Sequence, residues 1–590
     1  MNHARPIRRR TFLAATLAGA AAVSTGCGFS GDQNDSDTDD GGADGEQPSS
    51  GGTLRVSMIP VADLDPAIGS GSSNGQIIMA ALWEGLVVLD AEDPSNVLPG
   101  VAESWEVSDD QLTYTFHLRD DAKWSNGDPV TAQDLLWNWQ RILTPGIAGE
   151  NTPSYNQANM LVVGAGDYMN GATTNFDDVG VSAPDDATFE ITLEAPNSTL
   201  LLRLAHAEFL PLHPPTIEKL GDQWLTGETW VSNGAYVLDS YRVNQGATLR
   251  RNDHYWDAEN YHLDGIDVTF NAGGTTADLL SYQSDEIDVS GRIEDDLEAV
   301  TTSDVSDDLV TAPPNQIRQL IMLSSTNTVL HDVRIREALS SAIDREALGE
   351  ISRPAVAGNS MVPESIQGSD QVPGIEYDVE HARSLLSEAG FPDGQGLPTI
   401  VLMDYQSSPW VEAIGQMWRD ALGIEVTIDN IERGLFLERI EQLMPDDYVG
   451  FYALNTSVSP PALESAAQRI LPAASARLGG INLAPPDVSQ EFLDAVDAGA
   501  PPSEYLAVLD GRRVPECEHA IDLARRALAE ADPDKRFALL VECAVARDQA
   551  FVELPVLWGG YNLLVKPHVK NLKLWPFTSV FSTKGVRLER

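Results

Sequence analysis

The residues best equipped for chemistry in this chain are its three cysteines, and their spacing limits what that chemistry is. Cys27, Cys517 and Cys543 form no CxxC pair and have no histidine cluster beside them, so the spacing offers no zinc site. Cys27 stands alone directly after an apolar leader, where a thiol can carry a covalent modification. Cys517 and Cys543 are left as a pair for a disulfide on an exported, oxidising side. They fall in two helical stretches, Glu516 to Ala531 and Asp534 to Ala550, folded back at Asp532-Pro533. Measured from that turn, Cys517 is about 15 residues back and Cys543 about 10 on, an axial offset of roughly 7 Å at 1.5 Å per residue, at the limit of the Cα separation a disulfide spans. Asp35, Asp37, Asp39 and Glu46 fall at positions 1, 3, 5 and 12 of an EF-hand loop. Asp40 replaces the turn glycine and no helical pattern flanks the run, so it reads as a self-repelling spacer and no metal is expected. The chain contains neither GxSxG nor HExxH, its ten histidines are scattered, and pairs such as Asp109-Asp110 and Asp185-Asp186 follow from an acidic composition. A secreted hydrolase is therefore the weaker reading, and no enzyme activity or cofactor is expected.

The elements around these residues begin with an export layout. Met1 to Arg10 is basic, Thr11 to Gly26 is apolar or small, and Cys27 follows Gly26. Arg9-Arg10-Thr11-Phe12-Leu13 resembles a twin-arginine signal, with export by the general route left open. Gly26-Cys27 resembles the lipobox of bacterial lipoproteins, although Ser24 stands where that box carries Leu. The resemblance implies a lipidated Cys27 as the mature N-terminus, on the outer face of the cytoplasmic membrane. Residues from Gly28 to Gly52 are Gly, Ser, Asp, Glu and Gln with almost no apolar side chains, a composition that cannot offset the entropy of ordering and serves as a flexible tether. Over 590 residues, 38 Lys and Arg stand against 89 Asp and Glu. Loss of the four leader arginines takes the net charge from -51 to about -55, which repels nucleic acid and favours a solvated surface. With 42% hydrophobic residues, the chain can fill two or three cores, and no run after the leader is long and apolar enough for a membrane span.

Beyond the tether the periodicities alternate. Leu112, Tyr114, Phe116 and Leu118 share one face of a strand, Phe189, Ile191 and Leu193 another, and a helix starts after Thr131. Arg334 to Leu348 reads as one helix, Asp378 to Ala389 as a second closed by Gly390, and Trp410 to Leu422 as a third stopped by Gly423. Strand character resumes at Ile424 to Ile428. Ser387 to Ile428 thus gives helix, strand, helix, strand, the pattern of a doubly wound α/β lobe. The stretch from Pro460 to Pro502 reads as an extended loop region.

Several blocks occur in a fixed order: Trp83-Glu84-Gly85-Leu86, Pro99 to Trp105, Leu112 to Trp124, Ser125 to Arg141, Ser182 to Leu193, Ser232 to Tyr236, Arg251 to Asp257 and Asp332 to Ala347. Together they resemble the oligopeptide/dipeptide/nickel-type family (family 5) of ABC solute-binding proteins. The resemblance implies a two-lobed, periplasmic-binding-protein-like α/β fold (class II, cluster C type) with an additional domain inserted in the first lobe. Its expected boundaries are an export signal at 1–26, a linker at 27–52, lobe I at 53–100, 206–310 and 546–590, the inserted domain at 101–205, and lobe II at 311–545. It further implies a monomer that binds a peptide or peptide-like solute in an interlobe cleft and passes it to ABC permease and ATPase subunits. A ligand-sensing or adhesion lipoprotein without transport is the alternative. On lobe I the implied contacts are Glu84, Gly85 and Leu86, offering backbone and carboxylate, with Tyr155 from the inserted domain. On lobe II they are an edge strand at Phe451, Tyr452, Ala453 and Leu454, with Leu454 where peptide receptors hold the amine-binding Asp, and Arg433 where an aromatic is common. A shifted alignment that brings Asp446 or Asp447 to the amine remains open.

Overall fold

The computed structural model describes residues 51–589 apart from 62, 70–72, 91–92, 94–95, 146, 148–160, 170, 222–223, 225–229, 292, 294–296, 459–461, 472–478, 499, 501 and 576–580. Cys27, the EF-hand-like acidic run and Tyr155 lie outside the described residues. The chain opens with β1 (Thr53–Met58), a helix over Ser73–Leu82, and the short pair β2 (Val87–Leu89) and β3 (Val97–Pro99). β4 (Ala102–Val107), β5 (Thr113–Leu118), β6 (Val181–Asp185) and β7 (Thr188–Thr192) then form a separate antiparallel sheet in the order β4-β5-β7-β6. In β5 the alternation predicted from sequence is met, with Tyr114, Phe116 and Leu118 buried and the intervening residues half-buried. The helix Ala132–Leu143 covers this sheet, and it begins where it does because Thr131 and Asp134 cap each other's backbone reciprocally. Asp134 also accepts from the Trp124 indole at 3.2 Å.

β8 (Tyr236–Arg242), β9 (Gly246–Arg251) and β10 (Gly265–Phe270) complete a sheet of order β1-β10-β9-β8, in which β1 and β10 run parallel. Val289 bridges Val56 on one side and Val565 on the other, and β11 (Leu309–Thr311) pairs with a returning segment at 562–564. The chain then crosses to a second body. There β12 (Gln316–Met322), β13 (Val356–Ala357), β14 (Ile400–Asp404), β15 (Val426–Asn430), β16 (Val449–Ser457) and β17 (Glu553–Gly559) form one sheet in the order β13-β17-β12-β16-β14-β15. β14 is parallel to both β15 and β16, as the helix-strand-helix-strand pattern predicts.

Two hydrophobic cores define the two lobes: one draws on residues from Leu54 to Val289 and from Leu563 to Leu588, the other on Ile317 to Leu557. Apolar burial is the main favourable term, so each core marks a unit of its own. The two crossings lie side by side, with the Ala312 N–H donating to the Tyr561 carbonyl at 2.7 Å and the Asn315 N–H to that of Gly559 at 3.0 Å. A Cβ on Gly560 would sit 2.1 Å from the Ala312 carbonyl oxygen, so only glycine permits this approach. The return to lobe I at Gly560 corrects the expected boundary at 546, because β17 hydrogen-bonds to β12 inside the lobe II sheet.

Three further expectations are revised. Arg334 to Leu348 is two helices, Val333–Ser341 and Arg345–Ile351. The Asp344 carboxylate caps the second by accepting from the Ala347 N–H at 3.0 Å, and buried Arg345 donates to the Pro555 carbonyl at 2.8 Å. The proline-rich stretch contains helices Leu463–Arg469 and Pro486–Asp497; prolines at the start of the latter suit a first turn that needs no donor, and Val488 and Phe492 bury its inner face. Cys517 and Cys543 lie on the antiparallel helices Pro515–Ala529 and Pro533–Gln549 but are both unbonded. The Cys543 thiol faces the Ala520 carbonyl at 3.6 Å, while that of Cys517 faces Gly480 at 3.9 Å. The hairpin register is thus set about one helical turn away from the one a disulfide requires.

Candidate functional site

The Glu84 carboxylate is buried inside lobe I. It receives the Tyr255 hydroxyl and, at 2.7 Å, the Trp256 indole N–H. Its main chain is clamped by Asn233, which accepts from the Glu84 N–H at 3.1 Å and donates to the Glu84 carbonyl at 2.8 Å. Arg119 stacks on Trp256 with its guanidinium carbon 3.2 Å from the ring centre. Burial pushes the Glu84 carboxyl up to about 7, against the opposing pull of the Tyr255 and Trp256 hydrogen bonds and of Arg119. The carbonyls of Gly85 and Leu86 are engaged too, by the N–H groups of Val101 at 2.9 Å and of Gly100 and Ala102 at 3.2 and 3.0 Å. Five sequence blocks therefore meet in one polar knot. This corrects the expectation that the carboxylate and these carbonyls face a solute: they tie lobe I together, and Leu86 is core.

On lobe II, β16 is not an edge strand throughout. Val449 to Tyr452 is paired with β14, and Phe451 and Tyr452 with β12 as well, whereas Ala453 to Ser457 is paired only with β12. The difference arises at Asp404. Its buried carboxylate accepts from the N–H groups of Gln406 at 2.9 Å and Ser408 at 2.5 Å, turning the chain into the helix Pro409–Leu422, so that pairing of β14 with β16 stops at Met403 and Tyr452 while β16 runs on to Ser457. No strand among the described residues pairs with the other edge of Ala453–Ser457. That edge lies at the C-terminal end of parallel strands, the end where open α/β sheets bind ligands. It also abuts the crossing, since Ser457 pairs with Gln316.

The side chains named from sequence on this strand are largely internal. Phe451 packs on Trp418, Tyr452 on Phe436, Ala453 is buried, and only Leu454 is half-buried. Arg433 is exposed at the start of the helix Arg433–Arg439, whose N-cap is Glu432. Sequence reasoning missed Gln319 and Thr456. Gln319 pairs with Leu454, and its amide donates to the Thr456 hydroxyl at 2.9 Å, a polar pair beside the open edge. A buried Gln directly before the apolar run Leu320 to Leu323 is the only signal of it.

A polar seam joins the bodies near this edge. Arg203, 3% exposed, donates to Gln468, which reaches Asn197 at 3.5 Å. Arg536 donates to Gln111 at 3.3 Å, and Gln111 in turn to the Ala531 carbonyl at 3.4 Å. Glu464 lies in the same seam; burial raises its carboxyl above the usual range, opposed by Arg536 and Arg203. Among the described residues no group of three or more His, Cys, Asp and Glu is arranged to hold a metal ion, and no helix is long and apolar enough to cross a membrane.

Two cores joined by paired crossings, with an open strand edge at the junction, define a two-lobed binding protein. The chain belongs to the bacterial extracellular solute-binding proteins, family 5, whose middle-region profile matches residues 96–468. It is 32% identical over 411 residues to the periplasmic oligopeptide-binding protein OppA of Salmonella typhimurium, covering 66% of this chain and 72% of that one. It is also 29% identical over 401 residues to a probable deoxycholate-binding periplasmic protein of Escherichia coli, covering 64% and 70%. In fold it resembles the murein tripeptide-binding protein MppA in an unliganded open form (TM-score 0.72, 22% identity, 92% and 97% covered). It likewise resembles Haemophilus influenzae OppA in complex with RPPGFSPFR (TM-score 0.65, 21% identity, 91% and 99% covered).

Proposed function

We propose that this chain is the extracytoplasmic solute-binding component of an ABC importer, capturing a peptide or peptide-like solute between its lobes and delivering it to the permease. The observation that carries the reading is the unpaired edge of β16 at Ala453–Ser457, beside the interlobe crossing. An extended main chain can add to such an edge, where backbone hydrogen bonds give affinity without reading side chains. Membership of family 5 and relatives named for oligopeptide binding support it. Leu454 lies on the face shared with Gln319 and Thr456 and carries no charge for an ammonium, while exposed Arg433 favours an anionic or carboxylate-bearing group. N-terminally blocked peptides then bind better than the same peptides with a free amine, and Leu454→Asp shifts preference toward the free amine by about 10- to 150-fold, the worth of one charge-assisted hydrogen bond. Calorimetry in which the unaltered protein prefers free-amine peptides, and Leu454→Asp leaves that preference unchanged, refutes the assignment.

The chain acts as a monomer held on the outer face of the cytoplasmic membrane by a lipid on Cys27, in this reading. Gly26-Cys27 after a short apolar run supports it. Cys27→Ala should move the protein from the membrane fraction to the soluble one, and unchanged membrane retention counts against the anchor.

A further inference from the structure

Lobe I contains a cavity of about 320 Å³ whose lining, among the described residues, comes from that lobe alone, at positions within 76–90, 205–210, 234–261 and 581–585 and at Leu98 and Trp575. It does not draw on the interlobe seam or on β16. Part of its wall is at Gly234 and Ala235, where the chain enters β8; β8 starts beside the end of β9. That end of the sheet lies opposite the one where β1 and β10 finish, since Val289 runs on from beside Val56 to Ile293, whose N–H meets the Asn562 carbonyl close to the crossing.

The wall is mainly carbon and unusually aromatic, with Trp83, Tyr255, Tyr261, Trp575 and Phe581 among its residues. Two of its three charged side chains, Glu84 and Lys584, are already engaged. Both Glu84 oxygens receive donors, and the Lys584 ammonium is paired with Asp257 at 2.7 Å. The Trp575 indole differs. Trp575 is 9% exposed and lines the cavity, yet its Nε1–H has no acceptor. A buried donor left unsatisfied is costly, and a water needs two to four polar partners to replace the missing acceptor. The space matches the share of liquid held by about ten waters, within the size of small-molecule pockets.

We propose that this cavity is a small-molecule site separate from the interlobe site, taking a neutral, largely apolar, ring-bearing ligand with one hydrogen-bond acceptor directed at Trp575. The apolar wall selects the ring, the pairing of Lys584 with Asp257 leaves no ammonium for an anionic group, the carboxylates Glu84 and Asp90 repel one, and the indole N–H selects the acceptor. Recognition by a ring and a single donor differs from strand addition, so the two sites can be loaded independently.

Acetophenone and ethylbenzene, similar in size and differing in the carbonyl oxygen, separate these contributions in ligand-observed NMR titrations of the whole chain. Acetophenone is expected to bind more tightly, and Trp575→Phe to weaken it by about 2- to 13-fold, the range of one neutral hydrogen bond, without altering ethylbenzene. The indole N–H resonance that disappears in Trp575→Phe should shift with acetophenone alone. Ala81→Leu, which fills the cavity, should abolish both; should it fail to fold, Ala80→Leu at an exposed lining position should weaken both. Saturable binding that responds to the filling variants but equally for both probes, with Trp575→Phe neutral, overturns the assignment of the donor. Absence of binding up to the solubility limit of both probes overturns the site.

Discussion

The buried Glu84 carboxylate gives lobe I a pH dependence of definite sign. Burial raises its carboxyl from the ordinary 4.5 to about 7. The folded state therefore holds the proton more tightly than the unfolded chain, and stability falls as pH rises from about 4.5 through about 7, then levels off. At about 1.36 kcal/mol per pH unit, the full cost above pH 8 is about 3 kcal/mol. Glu84→Gln removes the charge but keeps the shape: the amide oxygen can accept from Trp256, and the Tyr255 hydroxyl can turn to accept from the amide N–H. The variant pays a fixed reorganisation cost, so the useful quantity is its stability relative to the unaltered protein as a function of pH. That difference should rise in the variant's favour by about 3 kcal/mol between pH 4.5 and 8. Urea unfolding followed by fluorescence suits the measurement, because most of the 12 tryptophans, Trp256 among them, lie in lobe I. Asp548, raised by burial to about 6 in lobe II, adds a slope of the same sign to both proteins and cancels. Parallel stability curves for the two proteins across this range refute the argument that Glu84 is held in a desolvated knot.

Gly560→Ala should separate the paired crossings, since the new Cβ meets the Ala312 carbonyl oxygen at 2.1 Å; the expected loss is about 1–3 kcal/mol of stability with weaker solute binding, and an unchanged unfolding midpoint excludes it. Cys517 and Cys543, with thiols pushed up to about 12 by burial, should resist alkylation in the folded protein and both react after unfolding without reductant. A disulfide-linked peptide found by mass spectrometry contradicts this.

The parts of the fold that were legible are those where a residue's local role and its tertiary role coincide. Tyr114, Phe116 and Leu118 alternate because one face of β5 meets a core, and Trp410, Ile414 and Trp418 recur at helical spacing for the same reason. Expectations failed where a single polar residue overrode the period. Asp344 caps a new helix inside an apolar stripe that reads as continuous, and the hairpin joining Cys517 to Cys543 settles in a register fixed by side-chain packing between its helices. The sequence blocks around Glu84 were visible, but their meaning was not. Asn233, Tyr255, Trp256 and Arg119 each look like ordinary turn and strand residues, and only their convergence on one carboxylate shows that they hold lobe I together.

The open edge of β16 was obscured for a related reason. Strand addition requires main-chain groups without a partner, and nothing in the side chains of Ala453 to Ser457 announces that condition. It is created from outside the strand, by Asp404. By accepting from the N–H groups of Gln406 and Ser408, that carboxylate stops β14 at Met403–Asp404, and β16 runs on past it with one edge exposed. Continuing the β14–β16 pairing by two residues, through Asp404 and Tyr405, would cover Ala453 and Leu454 and shorten the open edge, with no change to β16 itself. The side chains that flank the gap are Leu454 and the hydrogen-bonded pair Gln319 and Thr456. In the reading proposed above, the polar knot and the two cores build the lobes, and the solute is met at a gap that the end of a neighbouring strand leaves open.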